Sequence, residues 1–401
     1  MHTPRFTHPR RTLALILVPG GALAGISLAW LATMGGASVR SPSGASAPPS
    51  GGALMAVTAV SERDAWAVGF AQGALRRATL IEHWDGRGWL RLPSPDPAGN
   101  CCYRSGGPFL DGVAATSGRN AWAVGVTGDY NSHGHIRSYN LIEHWNGTVW
   151  TKVPVPPLPD GFLAGVAATS ARDAWAVGDY SRHPGIQYAA ALVEHWDGRA
   201  WRQVPFPSPR RHYGLKLNSV AATSARDAWV VGSYYPADYL APLIEHWDGK
   251  AWRQMPSPQR GFELYGVTAI SARNAWAVGA NSATGKTLIE HWDGRAWRQV
   301  PSPSHAADGE LSSVTATPSC GAWAVGDTGT RYGSGSSATL VVRWNGTGWK
   351  WVPSPSPGGY TGFDGVAEAS RCRPWAVGGA DVQTLMERWN GTAWKLAPRP
   401  R

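Results

Sequence analysis

A nine-residue phrase, SARDAWAVG at 170–178, recurs in seven versions along the chain. Its tryptophan falls at Trp66, Trp122, Trp175, Trp229, Trp276, Trp323 and Trp375, spaced by 56, 53, 54, 47, 47 and 52 residues. A period near 50 residues constrains the fold more than any other feature. A unit of that size cannot bury its own apolar faces, so neighbouring units must cover them, as in solenoids and propellers. Every unit also carries a second marker, as in LIEHWDGRAW at 288–297. Of the 23 Trp, 21 then fall into the scheme at three per unit, with Trp30 and Trp351 outside it.

Each unit reads as four short strands. In the third, GVAATS at 165–170 precedes a turn at 171–173, AWAVG forms the second strand, ALVEHW at 191–196 the third and AWRQVPF at 200–206 the fourth. Apolar alternation and β-branched or aromatic residues support the strands, and DG or NG between apolar partners is a strong two-residue hairpin signal. Proline closes each unit; lacking a donor, it confines the fourth strand to an edge. The 49 Gly and 31 Pro agree with many turns and little helix. The expectation is an all-β, seven-bladed β-propeller of four-stranded antiparallel blades, with Trp filling the spaces between blades. An open β-solenoid is the alternative, but it would show atypical terminal repeats, and the first and last units here are complete.

With those motifs in hand, the chain resembles known families over residues 53–401. DAWAVG with EHWDG..W looks like a repeat of exported bacterial proteins of unknown role. The strand and turn order is also similar to the photosystem II assembly factor propellers and, more loosely, to the Asp-box (BNR) repeats of sialidases. This chain has WDG or WNG where the Asp-box has S.DGG.TW, so the resemblance implies the scaffold alone. The 40–45-residue period and GH signature of WD40 repeats do not match.

The N-terminus differs in kind. MHTPRFTHPRR is basic without acids, and residues 12–34 form an uncharged apolar run of 23 residues. That is longer than a usual cleavable core of about 7–15 residues and within the range of about 17–25 that spans a bilayer. Residues 1–35 are therefore read as a signal peptide or N-terminal membrane anchor, residues 36–52 as a flexible Ser/Pro/Gly linker, and residues 53–401 as the propeller, placed outside the cytoplasm by the positive-inside rule. The formal charge of +10 is dispersed among the repeats, which excludes the concentrated basic face that nucleic acid requires.

Cysteine follows the repeat. Arg63, Arg119, Arg172, Arg226 and Arg273 hold one turn position, and Cys320 and Cys372 replace it in units six and seven. Adjacent units gain Cys together, which predicts a disulfide between neighbouring turns in an exported chain. Cys101 and Cys102 would form a vicinal pair or remain free. A co-substitution marks the next turn. Asp85, Asp197, Asp248 and Asp293 precede Arg87, Arg199, Lys250 and Arg295 by two residues, whereas Asn146, Asn345 and Asn390 precede Thr148, Thr347 and Thr392. This suggests a local charged contact exchanged for a neutral one.

Glu-His-Trp occurs in five units, at His83, His144, His195, His246 and His291; five copies around a ring describe structure, since one active site needs one asymmetric constellation. Alternating strand direction puts the SARD and WDG turns on one face. The variable connections share the other, and all 12 Tyr are assigned to it. The candidate ligand-binding residues are Tyr130, His133, His135 and Tyr139 in unit two, Asp179, Tyr180, His183 and Tyr188 in unit three, Tyr234, Tyr235 and Tyr239 in unit four, and Tyr332 in unit six. Loops between units add Tyr103, His212, Tyr213, Tyr265 and Tyr360. Tyrosine on a rigid scaffold suits binding. The expected function is an extracytoplasmic binding or assembly scaffold for a protein or carbohydrate ligand at the cell surface, monomeric, and attached to the membrane if the N-terminal segment is uncleaved. No catalytic residue, cofactor or metal set is assigned. The alternative is a propeller-type hydrolase of sialidase type or an oxidase, which would show convergent titratable groups with displaced pKa values at the channel mouth.

Overall fold

The computed structural model describes residues 51–73, 77–95, 107–130, 136–155, 158, 160–181, 189–207, 209, 214–236, 239–281, 283–303, 309–329, 336–369, 371–398 and 400. They form seven four-stranded antiparallel sheets, each made of four consecutive strands. The blades span 51–92, 109–152, 162–203, 215–255, 262–299, 309–351 and 361–396. The first strands pack against one another around the ring, and the last ring contact is between the first blade and the seventh. First strands are thus innermost and fourth strands form the outer edge. The seven-bladed propeller expected from the repeat is the observed fold.

Strand extents differ from the sequence reading at both ends of a blade. The third blade's first strand runs Phe162–Ser170, and its fourth is only Trp201–Gln203. Val204 still donates its N–H to Val193 O at 2.9 Å, and Pro205 then ends the ladder because it has no N–H to give. The first strand of blade one is Gly51–Ser61, so Gly51 and Gly52, read as the end of the linker, belong to the sheet. The apolar run at 12–34, read as an export or anchor segment, and Cys101–Cys102 lie outside the described residues. Among the described residues no helix is long and apolar enough to cross a membrane.

Tryptophan joins the blades in triads. Trp66 of blade one lies 5.1 Å from Trp145 and 5.2 Å, edge-on, from Trp150 of blade two. The same arrangement repeats between every pair of neighbours, including Trp375 of blade seven with Trp84 and Trp89 of blade one, at 5.0 and 5.1 Å. Offset and T-shaped rings satisfy the aromatic quadrupole and add about 0.5–1.5 kcal/mol per pair beyond area burial. Closure uses the same joint as every other seam. Among the described residues no strand is shared between the first and last blades, and Gly52 N–H bonds Val382 O there at 2.7 Å.

Cys320 and Cys372 form a disulfide with Cα atoms 5.2 Å apart, joining the turns of blades six and seven. It closes a loop with a sequence separation of 52 residues, so it restricts the unfolded chain substantially. Replacing both cysteines by Ser should lower unfolding free energy by about 2–4 kcal/mol in denaturant titrations under oxidising conditions. Unchanged stability would show that the bridge constrains nothing.

Candidate functional site

The two faces of the ring are built differently. On the repetitive face of blades one to five, the contacts of three side chains recur. The third-strand indole donates to the first turn, as Trp196 Nε1 does to Ala171 O at 3.1 Å. The third-strand imidazole bonds the Asp or Asn after the turn arginine: His83 to Asp64 at 2.8 Å, His144 to Asn120 at 2.8 Å, His195 to Asp173 at 2.6 Å, His246 to Asp227 at 2.7 Å and His291 to Asn274 at 2.9 Å. Each imidazole also lies on the second-strand Trp of its own blade, as His83 does on Trp66 at 4.1 Å. The third side chain is the turn arginine, its stem over the glycine of the DG or NG turn; a Cβ on Gly198, whose φ is +86°, would meet Arg172 Cβ at 3.0 Å.

Electrostatics here serve the turns. Burial works against ionisation of Asp173, yet hydrogen bonds from His195 and Thr169 hold it below the ordinary carboxylate range. Burial pushes the imidazoles of His144 and His291 down. A His–Asp or His–Asn pair repeated in five blades and closed under Trp is a clamp between strands.

The charged co-substitution has a different partner from the one expected. Asp197 Oδ1 accepts the backbone N–H groups of Arg199 and Ala200, both at 2.9 Å, while Oδ2 pairs with Arg202 on the fourth strand at 2.9 Å. Asp248 with Arg253 and Asp293 with Arg298 repeat this. The residue two positions on gives its backbone N–H to Oδ1, and the ion pair of Asp197, Asp248 and Asp293 goes to the fourth-strand arginine five positions on. Where Asn stands, the expected Asn–Thr pair is present, as Thr148 Oγ1 donates to Asn146 Oδ1 at 2.7 Å.

The opposite face carries the variable residues. Asp179, Tyr180 and Tyr234 lie at the ends of second strands, and Tyr139 near the start of a third strand, rather than in loops. Asp179 is buried, and Tyr180 and Tyr234 pack partly against the inter-blade cores. Tyr235 donates its N–H to Gly214 O at 3.1 Å. Tyr239 is 39% exposed, under the Arg260 guanidinium at 5.4 Å. Tyr360 is 49% exposed and held by its backbone: its N–H bonds Asp381 Oδ1 at 2.9 Å and its carbonyl accepts from Asp381 N–H at 2.7 Å. The side chains of Tyr130, His133, His135, His183, Tyr188, Tyr332, Tyr103, His212 and Tyr213 lie outside the described residues.

Near the axis the structure assembles a set that the sequence reading missed. Every first strand has a register shift at the same place, which sets one residue outside the ladder register: Met55, Asp111, Ala164, Asn218, Tyr265, Ser312 and Asp364. All seven are half-buried. A β-bulge re-aims a side chain, and here it does so once per blade on the innermost strand. Tyr265, expected in a connecting loop, is one of them. Asn218 Nδ2 reaches the next blade, donating to Leu264 O at 2.7 Å and Glu263 Oε1 at 3.0 Å, and Lys216 Nζ pairs with Glu263 at 3.3 Å. A signal existed: in LMAV, LDGV, LAGV, LNSV, LYGV, LSSV and FDGV the second position alone varies without restraint.

No family model matches the sequence, and no curated protein does. Solved structures show the fold. The chain is similar to YCF48 bound to a D1 peptide, at 13% identity over 85% of this chain and 93% of that one, with a TM-score of 0.51. It is also similar to the β-propeller domain of the Trilobed protease from Pyrococcus furiosus, described as having an open velcro topology, at 10% identity over 87% of this chain and 98% of that one, with a TM-score of 0.52.

Proposed function

We propose that this protein is a binding or assembly scaffold that holds a protein partner on its variable face, outside the cytoplasm. The observation that carries the reading is the contrast between faces: one repeats the same clamp in five of the seven blades, and the other presents differing side chains at equivalent positions, including tyrosines on anchored backbone. A rigid amphipathic ring of this kind supplies contact area at low entropy cost. The fold is similar to that of YCF48, which has been solved with a peptide bound, and this favours a protein over a carbohydrate ligand. The displaced carboxyls of known environment sit between blades or on the repetitive face, which favours binding over hydrolase or oxidase chemistry. The Cys320–Cys372 bridge suits an oxidising compartment, in line with the apolar segment at 12–34.

The test is crosslinking capture with the full chain, wild type against a Tyr235→Ala, Tyr239→Ala, Tyr360→Ala variant. Affinity for the captured protein should fall at least about tenfold, as loss of aromatic anchors does. Equal capture by the variant would remove the site, and retention on a glycan array with no protein captured would move the reading to a carbohydrate.

A further inference from the structure

The repetitive face breaks its pattern at blades six and seven, and blade seven departs furthest. Cys372 has replaced the turn arginine, Arg373 stands in the position of Asp64 or Asp173, and Arg388 stands in the position of the histidine. The reshaped turn holds Arg371 and Cys372 in the left-handed region, at φ 57° and 55°. Without the arginine stem, the NG turn is uncovered: a Cβ on Gly391 would meet nothing within 4 Å, where Gly198 is in contact with Arg172.

These replacements open a groove of about 270 Å³ between blades seven and one, lined in part by Trp84, Trp389, Arg373, Arg388, Lys395 and Leu396. Arg388 lies over Trp375 at 4.9 Å and Trp84 at 5.8 Å, and its Nε is buried without a hydrogen-bond acceptor among the described residues. Burial pushes this guanidinium's pKa down, with Glu62 opposing that and Arg373 adding to it. Glu62 is itself engaged by Arg371 at 3.6 Å. Blade six has Cys320 and Arg343 at the positions of Cys372 and Arg388, but Gly321 stands where blade seven has Arg373, and Glu368 of the next blade lies near Arg343. Blade seven is where the cationic surplus reaches solvent, through exposed Arg373 and Lys395. Apolar surface adjoins it: Leu396 is 51% exposed.

We infer that this groove binds an acidic peptide segment of a protein partner, a carboxylate against Arg373, Arg388 and Lys395 and an adjoining apolar side chain against Trp84 and Leu396. The charge excess selects an anion, and the indole and leucine walls, which a hydrated inorganic ion would leave unused, select one attached to apolar groups. The site is on the face opposite the tyrosines, so it stands or falls independently of them.

The experiment is calorimetric titration of the full chain with an acetylated, amidated hexapeptide alternating Glu and Leu, with its Gln–Leu counterpart, and with benzoate as a free anion. The Glu–Leu peptide should bind, with the Gln–Leu peptide and benzoate each weaker by at least about tenfold. Arg373→Glu with Lys395→Glu should abolish binding without lowering the melting temperature, and Lys350→Glu, at the matching position of blade six, should leave it intact. Equal binding of the Gln–Leu peptide, equal binding of benzoate, or survival of binding in the double variant would each overturn the assignment.

Discussion

Replacing Trp375 by Ala is expected to lower unfolding free energy by about 3–5 kcal/mol and to open the ring at one place. Trp375 is 3% exposed and holds Trp84 and Trp89 across the closing seam. Trp175 makes the equivalent triad with Trp247 and Trp252, so Trp175→Ala should cost a similar amount overall. The two variants part company in where they open. Blades three and four are joined by chain as well as by packing, whereas among the described residues blades seven and one share no strand and are bonded through the backbone at Gly52–Val382. Hydrogen exchange should therefore show protection lost from Gly51–Ser61 in Trp375→Ala and retained there in Trp175→Ala. Equal loss of protection around the whole ring in both would mean that the seam is no weaker than the rest.

The second large effect follows from carboxyls between the blades. Six third strands carry a fully or nearly fully buried glutamate: Glu82, Glu143, Glu194, Glu245, Glu290 and Glu387. Some are served by the exit segment of the preceding blade, as Ser94 Oγ donates to Glu143 at 2.9 Å and Ser257 Oγ to Glu290 at 2.7 Å. Phe206 occupies that position before blade four, and neither oxygen of Glu245 has a hydrogen-bond partner among the described residues. Burial raises Glu82, Glu194 and Glu290 to about 7, and Glu245 and Glu387 to about 8.

A folded-state pKa raised above the unfolded value favours the protonated native state. Its stabilising contribution is complete below the unfolded pKa, near 4.5, and is lost as pH rises through 7 to 8. Thermal stability should therefore fall between about pH 5 and about pH 9. Glu245→Gln removes the charge with little change in shape, so it should be nearly neutral at about pH 5 and stabilising by a few kcal/mol at about pH 9, the scale set by roughly 1.4 kcal/mol per pKa unit. A melting temperature that responds equally at both ends of that range would show that Glu245 ionises freely in the fold.

These glutamates illustrate what was hard to see in the sequence. Glu-His-Trp was legible as a structural repeat, but a glutamate flanked by Ile and His reads as surface until the neighbouring blade is placed over it. The seven bulges were hidden for a related reason: a residue that falls outside the strand register leaves no periodic mark beyond its own variability. The Asp197 turn shows the same limit at shorter range, since the sequence pairs it with Arg199, whereas Arg199 gives its backbone N–H and Arg202 of the fourth strand makes the ion pair. The disulfide, by contrast, was legible because Cys320 and Cys372 replace one repeated arginine in adjacent units.

What the sequence determined by itself was the number of blades, their four-stranded make-up, the equivalence of positions between them and the cysteine pair. Strand pairing within a blade joins segments close along the chain, and its pleat writes the pattern directly into alternation, DG turns and proline stops. The tertiary structure alone decided the closing seam without a shared strand, the axial ring of bulged residues, the burial of the glutamates and the groove beside Arg388. Each depends on which residues of the next blade stand opposite, and that is set by radial packing of sheets, a relation with no period along the chain.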